Sequence, residues 1–394
     1  MSNGGQIGAV VIGGDFQALG VIRSLSEKKI PVFLLDYELS ISRLSRYVKR
    51  RVINYSLFED YESFADYLIY IAEKENLKDW VLFPNNDELV KLLSMYREKL
   101  KGWYRVPVPP WEVVQKFYYK KNAYEIAEKI SIPVPKMYHG KNLDELLDQE
   151  LRFPIALKPS YKGKYFVVTK KKAVKVDDTK SFIAEYRKMS SIIDSSEIIV
   201  QEMIEGGSKN LFSHAGFFDG EKVVKGISAR RLRQHPIEFG HATTYAETVV
   251  MPELEDMANR ILREIGYYGI AEVEFMMDDK DKTYKFIEIN GRVWGWHTLA
   301  KASGINVPYV QFQHITGQEI ENSDPESLEG VKWIRLMTDI PTSLVEIFAG
   351  RMKVKDYLKS IKGKKECAVF SAKDPLPFFM ELAIAPYLWW KRGF

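Results

Sequence analysis

The residues best suited to chemistry lie late in the chain, in KFIEINGRVWGW from Lys285 to Trp296. As a short strand this stretch sends Glu288 and Asn290 to one face, because side chains two apart on a strand point the same way. Upstream, GIAEVEFMMDDKDKTY reads as a second strand carrying Glu272 and Glu274 and turning between Asp278 and Lys282. Paired as an antiparallel hairpin, the two strands bring Glu274, Glu288 and Asn290 together. Two carboxylates and an amide oxygen make a hard-oxygen set that suits Mg²⁺ (or Mn²⁺), with phosphates completing the shell. Arg292 can then meet phosphate charge from the side. The bland alternative is two edge carboxylates sitting in water. Lys158 is a second candidate, since RFPIALKPS is a short apolar strand that ends on it. A buried lysine needs an anion, either a phosphate or an internal carboxylate.

Other elements stand before these in a specific order: Lys120, Lys158 and its loop KPSYKGKYF, IIVQEMIEGG from Ile198 to Gly207, then E…E-x-N. That order resembles the ATP-grasp superfamily, and within it the carboxylate–amine ligase-like members of the D-aspartate ligase and carbamoyl-phosphate-synthase type. The resemblance spans roughly residues 7 to 320 and is strongest from Lys120 to Ile305. It implies that Lys120 and Lys158 touch ATP phosphates, with Lys121 as the alternative to Lys120. It implies a phosphate-covering loop, in which Lys164 flanks the single glycine Gly163. Adenine would lie against Gln201, Glu202, Met203 and Ile204, its edge read by backbone groups of Glu202 and Ile204. The family often holds ribose with an acid where this chain has Ser208 and Lys209, so Glu205 is the stand-in. Glu274, Glu288 and Asn290 would hold the metal. Glu272 departs from the basic residue that related ligases often carry there; it could bind an amine or pair with an arginine.

These residues need elements to position them. AVVIGGDFQALGVIRSL…VFLLD reads as strand, glycine turn, helix and strand, without the G-x-G-x-x-G of a dinucleotide site. A third strand, Val81 to Asp87, would place Asn85, Asn86 and Asp87 at its carboxyl end. Gly13, Gly14, Asp15, Asn85 and Asp87 then either help bind a second substrate or merely form turns and a helix cap. VPVPPW marks a boundary, and the helix after it ends before Pro133. NLFSHAGFFDGEKVV predicts a hairpin turning at Asp219–Gly220. Beyond it, Arg230 to Thr244 reads as irregular and polar. There Arg230, Arg231 and Arg233 either clamp an acyl phosphate or form a basic surface. His235, His241 and His297 have no metal-ligand spacing and read as polar lining or structure. Trp294 and Trp296 form either a substrate wall or ordinary core. A helix from about Glu253 to Ile265 leads into the metal strands.

At 394 residues the chain has room for two or three domains. A net charge of +4 is too small to argue for nucleic acid. The single cysteine, Cys367, rules out a disulfide framework and fits a reducing cytoplasm. The first residues lack a secretory pattern. KKKAVK at 170–175 reads as a solvated basic face. The aromatic tail from Asp374 to Phe394 is too short and interrupted to span a bilayer. It is expected to pack on its own domain or a homodimer partner, with a weak membrane-surface contact as the alternative.

The implied fold is α/β and α+β, an ATP-grasp fold with an N-terminal Rossmann-like (pre-ATP-grasp) domain over residues 1–110. A small lid subdomain follows over 111–200, then a larger Mg-ATP subdomain over 201–325 and a C-terminal extension over 326–394. The implied reaction joins a small-molecule carboxylate to an amine through an acyl phosphate, releasing ADP, with Lys158, Arg292 and Arg230 catalytic. Amino acids, peptides and glycan-linked groups all fit as substrates. The alternatives are other ATP-grasp chemistry (carboxylation or phosphorylation), a nucleotide-binding regulator without turnover, and, on the first βαβ, a nicotinamide dehydrogenase.

Overall fold

Three sheets organise the chain in the computed structural model, which describes residues 6–53, 60–161, 163–235, 240, 242–321, 329–363 and 365–392. The first is wholly parallel, in the order β3–β2–β1–β4–β5. Its strands are β1 (Ala9–Ile12), β2 (Val32–Asp36), β3 (Arg50–Ile53), β4 (Trp80–Pro84) and β5 (Tyr104–Arg105). Every residue of β1, β2 and β4 is buried, as a parallel sheet with both faces covered requires. Val10 and Ile12 join one core and Ala9 and Val11 the other. β3 is not legible in the sequence, because RRVI shows no alternation.

Packing, rather than an open cradle, shapes the glycine turn after β1. Gly13 sits at φ +94°, and a Cβ there would lie 2.2 Å from Asn85 Nδ2. At Gly14 a Cβ would fall 2.0 Å from Ser40 Oγ. Asp15 caps the helix Phe16–Glu27 by accepting from the Gln17 and Ala18 amides. The expected strand to Asp87 stops at Pro84, because Asn86 instead caps the helix Asp87–Met95 through the Leu89 amide at 2.9 Å.

The second sheet is antiparallel, in the order β6–β9–β7–β8, from β6 (Met137–Tyr138), β7 (Ile155–Pro159), β8 (Val174–Val176) and β9 (Ile198–Glu202). Its apolar face packs on Phe182, Tyr186 and Met189 of the helix Thr179–Ser190. The expected phosphate-covering loop is largely a helix here, Gly163–Thr169. GKYFVVT is poor in strong helix formers, and its helix packs by burying Tyr165 in the core of this sheet.

The third sheet is the largest, ordered β14–β13–β10–β11–β12–β15–β16. It comprises β10 (Leu211–Phe218), β11 (Val223–His235), β12 (Ala242–Val249), β13 (Gly269–Met277), β14 (Tyr284–Asn290), β15 (Lys332–Ile334) and β16 (Glu366–Cys367). The β10–β11 hairpin turns at Asp219–Gly220, with Gly220 at φ +108°. The stretch expected to be irregular is largely strand: β11 continues through Arg230, Arg231 and Arg233 with register shifts, and β12 resumes at Ala242. His241 lies outside the described residues. The helix Pro252–Ile265 starts on proline and ends at Gly266, φ +75°. Because β15 and β16 extend this sheet, the chain beyond residue 325 is continuous with it.

A buried ion pair ties that continuation down. Arg233 donates to both carboxylate oxygens of Asp339 at 2.8 Å, and Thr244 Oγ1 donates to the same group at 2.9 Å. Asp339 is fully buried. Removing it leaves a buried guanidinium without its counter-charge. Asp339→Ala should therefore cost about 3–5 kcal/mol in urea unfolding, far more than an exposed charge such as Asp356.

Candidate active site

The β13–β14 hairpin sets Glu274 opposite Glu288 and Glu272 opposite Asn290. All four side chains share one sheet face, with Ser213 of β10 beside Glu274. Asn290 Nδ2 donates to Glu272 and Glu274, 3.0 Å each, while Asn290 Oδ1 accepts from Arg292 at 3.2 Å. Ser213 Oγ donates to Glu272 at 3.0 Å. Burial, reinforced by the Glu274 charge, pushes the Glu272 carboxyl up to about 8.

Cations answer the carboxylates one by one. Lys120 Nζ lies 2.8 Å from Glu288, and Arg231 Nη2 lies 3.1 Å from Glu274. Arg292 grips Asp87 through two bonds, 2.7 and 3.2 Å, so the first helix after β4 is tied to the site. Burial raises the Glu288 carboxyl, but the charges of Lys120, Lys172 and Lys158 outweigh it and hold the group well below the carboxylate range. Burial likewise opposes the charge on Lys120, and Glu288 outweighs it, leaving that ammonium raised.

Lys158 differs. It is the penultimate residue of β7 with its side chain buried, and its ammonium donates to Tyr124 Oη at 2.5 Å. Tyr124 in turn donates to the Ile287 carbonyl at 2.8 Å. Burial, helped by the Lys120 charge, pushes Lys158 down to about 7. Among the described residues no carboxylate forms an ion pair with it.

The β9 end carries Gln201 to Glu205. Gln201 is buried, and its Oε1 has no hydrogen-bond partner among the described residues. The Glu202 amide is committed to the Lys136 carbonyl at 2.9 Å, which leaves only its carbonyl to read an edge. Met203 is half-buried, Ile204 buried and Glu205 exposed. Lys164 stands exposed on the helix Gly163–Thr169.

Several expectations need correction. Arg230 faces away from the carboxylates, because strand alternation puts it opposite Phe212 and Glu247. Its Nε donates to the Lys209 carbonyl instead. Arg231 takes the place expected of it. Trp294 and Trp296 are core, 0% and 3% exposed, and form no wall. His297 is buried with Nδ1 on the Trp294 carbonyl, and burial pushes it down to about 4, so it is neutral. His235 is bonded to Thr342. Tyr124 reads in the sequence only as part of a helix's apolar spacing, although it lies four residues from Lys120, one helical turn along the same face. Lys172, read as solvated, acts on Glu288.

The donor set can be tested against a divalent cation. Among the described residues no three His, Cys, Asp or Glu side chains are poised together on a metal. Glu274 and Glu288 are turned onto Arg231 and Lys120, and Asn290 presents its NH₂ to the carboxylates. Two carboxylates and an amide oxygen fit an ion that takes its remaining ligands from phosphate. Reaching it requires Asn290 to turn its amide over and Lys120 to release Glu288.

Residues 227–323 match the family model of the carbamoyl-phosphate synthase L chain, ATP binding domain. The chain is 25% identical over 317 residues to a D-aspartate ligase of Enterococcus faecium, covering 76% of this chain and 74% of that protein. It superposes with TM-score 0.67 on N5-carboxyaminoimidazole synthetase from Staphylococcus aureus complexed with ADP, at 16% identity over 87% of this chain and 86% of the other. An L-amino acid ligase from Bacillus licheniformis gives TM-score 0.63 at 16% identity, covering 81% and 77%. The chain also matches long carboxylases, of which it spans only 7% to 14% in curated relatives and 30% in one solved structure.

Proposed function

We propose that this chain, an ATP-grasp protein by its fold and its matched family model, joins a carboxylate to an amine at the expense of ATP. The observation that carries the reading is Lys158: a buried lysine beside the Lys120–Glu288 pair that shares the Glu288 charge and has no ion-pair partner of its own among the described residues. Holding such a group costs stability, and a polyphosphate in the cleft answers that cost. Adenine lies at the β9 end, where Gln201 Oε1 can accept from its exocyclic amine and the Glu202 carbonyl and Ile204 amide read its edge. Glu205 is offered to the ribose.

Glu274, Glu288 and Asn290 would hold Mg²⁺, whose charge would offset that of the phosphates when bound. Lys120 and Lys158 neutralise phosphate oxygens as an acid's carboxylate oxygen attacks the γ-phosphorus. The bond to the ADP oxygen breaks, leaving an acyl phosphate. The amine then attacks the acyl carbon, phosphate leaves, and the nitrogen gives up its proton. Arg292 and Arg231 lie where they can stabilise the charge that develops on the acyl oxygen. The cytoplasm, where ATP is plentiful, is the expected site of this reaction.

The test is Mg²⁺-dependent ADP release on pooled small acids and amines. Release that needs both an acid and an amine is the expected result. Release with bicarbonate alone would favour carboxylation, the second reading, which the likeness to carboxylases recommends.

Lys158 also sets a pH signature. Its ammonium loses its proton near pH 7 in the free protein, and phosphate will draw that proton back. ATP binding near pH 8 should therefore take up protons, measured by calorimetry in buffers of different ionisation enthalpy. Lys158→Met should abolish the uptake, and affinity in the unaltered protein should fall as pH rises above 7.

A further inference from the structure

We propose that the C-terminal layer is a docking surface for an anionic lipid bilayer. The helix Leu336–Phe348 is packed inside out. Thr338, Asp339, Thr342 and Ser343 are buried, whereas Ile340, Leu344, Val345 and Phe348 are exposed, Phe348 by 86%. The buried polar face is fixed by its partners: Asp339 takes Arg233 and Thr244, and Thr342 takes His235. With the polar residues facing inward, the apolar stripe at 340, 344 and 348 faces outward, one turn apart each time.

The helix Leu376–Ala383 repeats the inversion. Its Glu381 is buried on Arg335 at 3.0 Å, while Leu376, Phe379 and Leu382 are each at least half exposed. Arg335 immediately precedes the first helix, so this ion pair joins the two. Trp390, further along, is 80% exposed. Scattered exposed apolar residues are ordinary, but two inverted helices linked by a buried ion pair are not.

Charge selects the occupant. Between the helices, Arg351, Lys353, Lys355, Lys359 and Lys362 are all exposed, with Val354 and Leu358 exposed among them. Asp356 is the exposed acid of that stretch, and Arg351 already takes up Glu346. A second copy related by twofold symmetry would set this basic surface near its own image, where like charges repel. A bilayer with anionic headgroups offers apolar depth and negative charge together. Among the described residues no helix is long and apolar enough to cross a membrane, so the contact lies in the plane of the surface.

The proposal is independent of the reaction assigned to the cleft. Flotation of the full chain with vesicles tests it, using phosphatidylcholine alone and phosphatidylcholine with an equal part of phosphatidylglycerol. The chain should float with the anionic vesicles, less so in high salt, and poorly with phosphatidylcholine alone. Phe348→Ser and the double change Lys355→Glu, Lys359→Glu should each lower that binding about tenfold. Both leave melting and ATP binding unchanged, because these side chains are exposed. Absence of flotation, or undiminished flotation of both variants, overturns the proposal. So does a dimer in sedimentation that Phe348→Ser breaks while no vesicle is bound, since a second copy then covers this face.

Discussion

Replacing Lys158 by methionine should give a protein that is more stable than the parent and has lost its nucleotide. The two effects have one cause. In the free protein the Lys158 ammonium is buried on Tyr124 with no ion-paired carboxylate among the described residues, and burial with the Lys120 charge pushes it down to about 7. Methionine fills similar space with no charge to desolvate, a change worth about 1–4 kcal/mol. The sign follows from linkage. Between pH 7 and 10.5 the unfolded chain binds a proton that the folded one does not, so the parent's deficit is greatest below pH 7 and fades as pH rises. Urea melts at pH 6 and pH 10 read this directly. Loss of a buried charge contact to phosphate should weaken ATP on the order of a hundred- to thousandfold. A variant that is both less stable and still binds ATP would mean that Lys158 has an unseen internal partner.

Glu288→Gln should act on stability with the opposite sign. Glu288 is the counter-charge of Lys120, and its carboxyl is held low by that cation and by Lys172 and Lys158. The amide is neutral, so Lys120 and Lys158 are left facing each other with less to balance them. The pair keeps some exposure, 25% and 19%, so the loss is about 1–2 kcal/mol. Turnover suffers more. Glu288 is one of two carboxylates that can face a phosphate-bound cation, and its loss should lower the rate on the order of a thousandfold. ATP affinity in the absence of Mg²⁺ should change far less, and that split separates a metal ligand from a residue that merely supports the fold. Equal losses with and without Mg²⁺ would assign Glu288 to Lys120 alone.

Much of this was legible in the residues. The hairpin that sets Glu274 against Glu288 follows from alternation and a polar turn, and the strand ending on Lys158 from an apolar run closed by a charge. Strand alternation would also have separated Arg231 from Arg230, had the register been visible. It was hidden because RRLRQH is polar apart from Leu232 and shows no alternation, and β11 holds it by pairing with β10 and β12. The helix Gly163–Thr169 stood where a loop was expected, because burial of Tyr165 overrides the weak helix propensity of an aromatic and β-branched segment. The C-terminal layer was least legible. Its apolar residues suggest an ordinary core-facing helix, and only the partners of Asp339 and Glu381 reveal that it is turned inside out. The glycines after β1 read equally as part of a substrate site or as turns, and the close packing of Asn85 and Ser40 against them accounts for both glycines.

The central claim, that a carboxylate is activated by phosphoryl transfer in this cleft, is tested most directly by oxygen tracing. With the acid substrate labelled with ¹⁸O in its carboxylate and an amine present, a single turnover should move one labelled oxygen into the released phosphate. Release of unlabelled phosphate alongside product would show that no acyl phosphate forms, and would contradict the account.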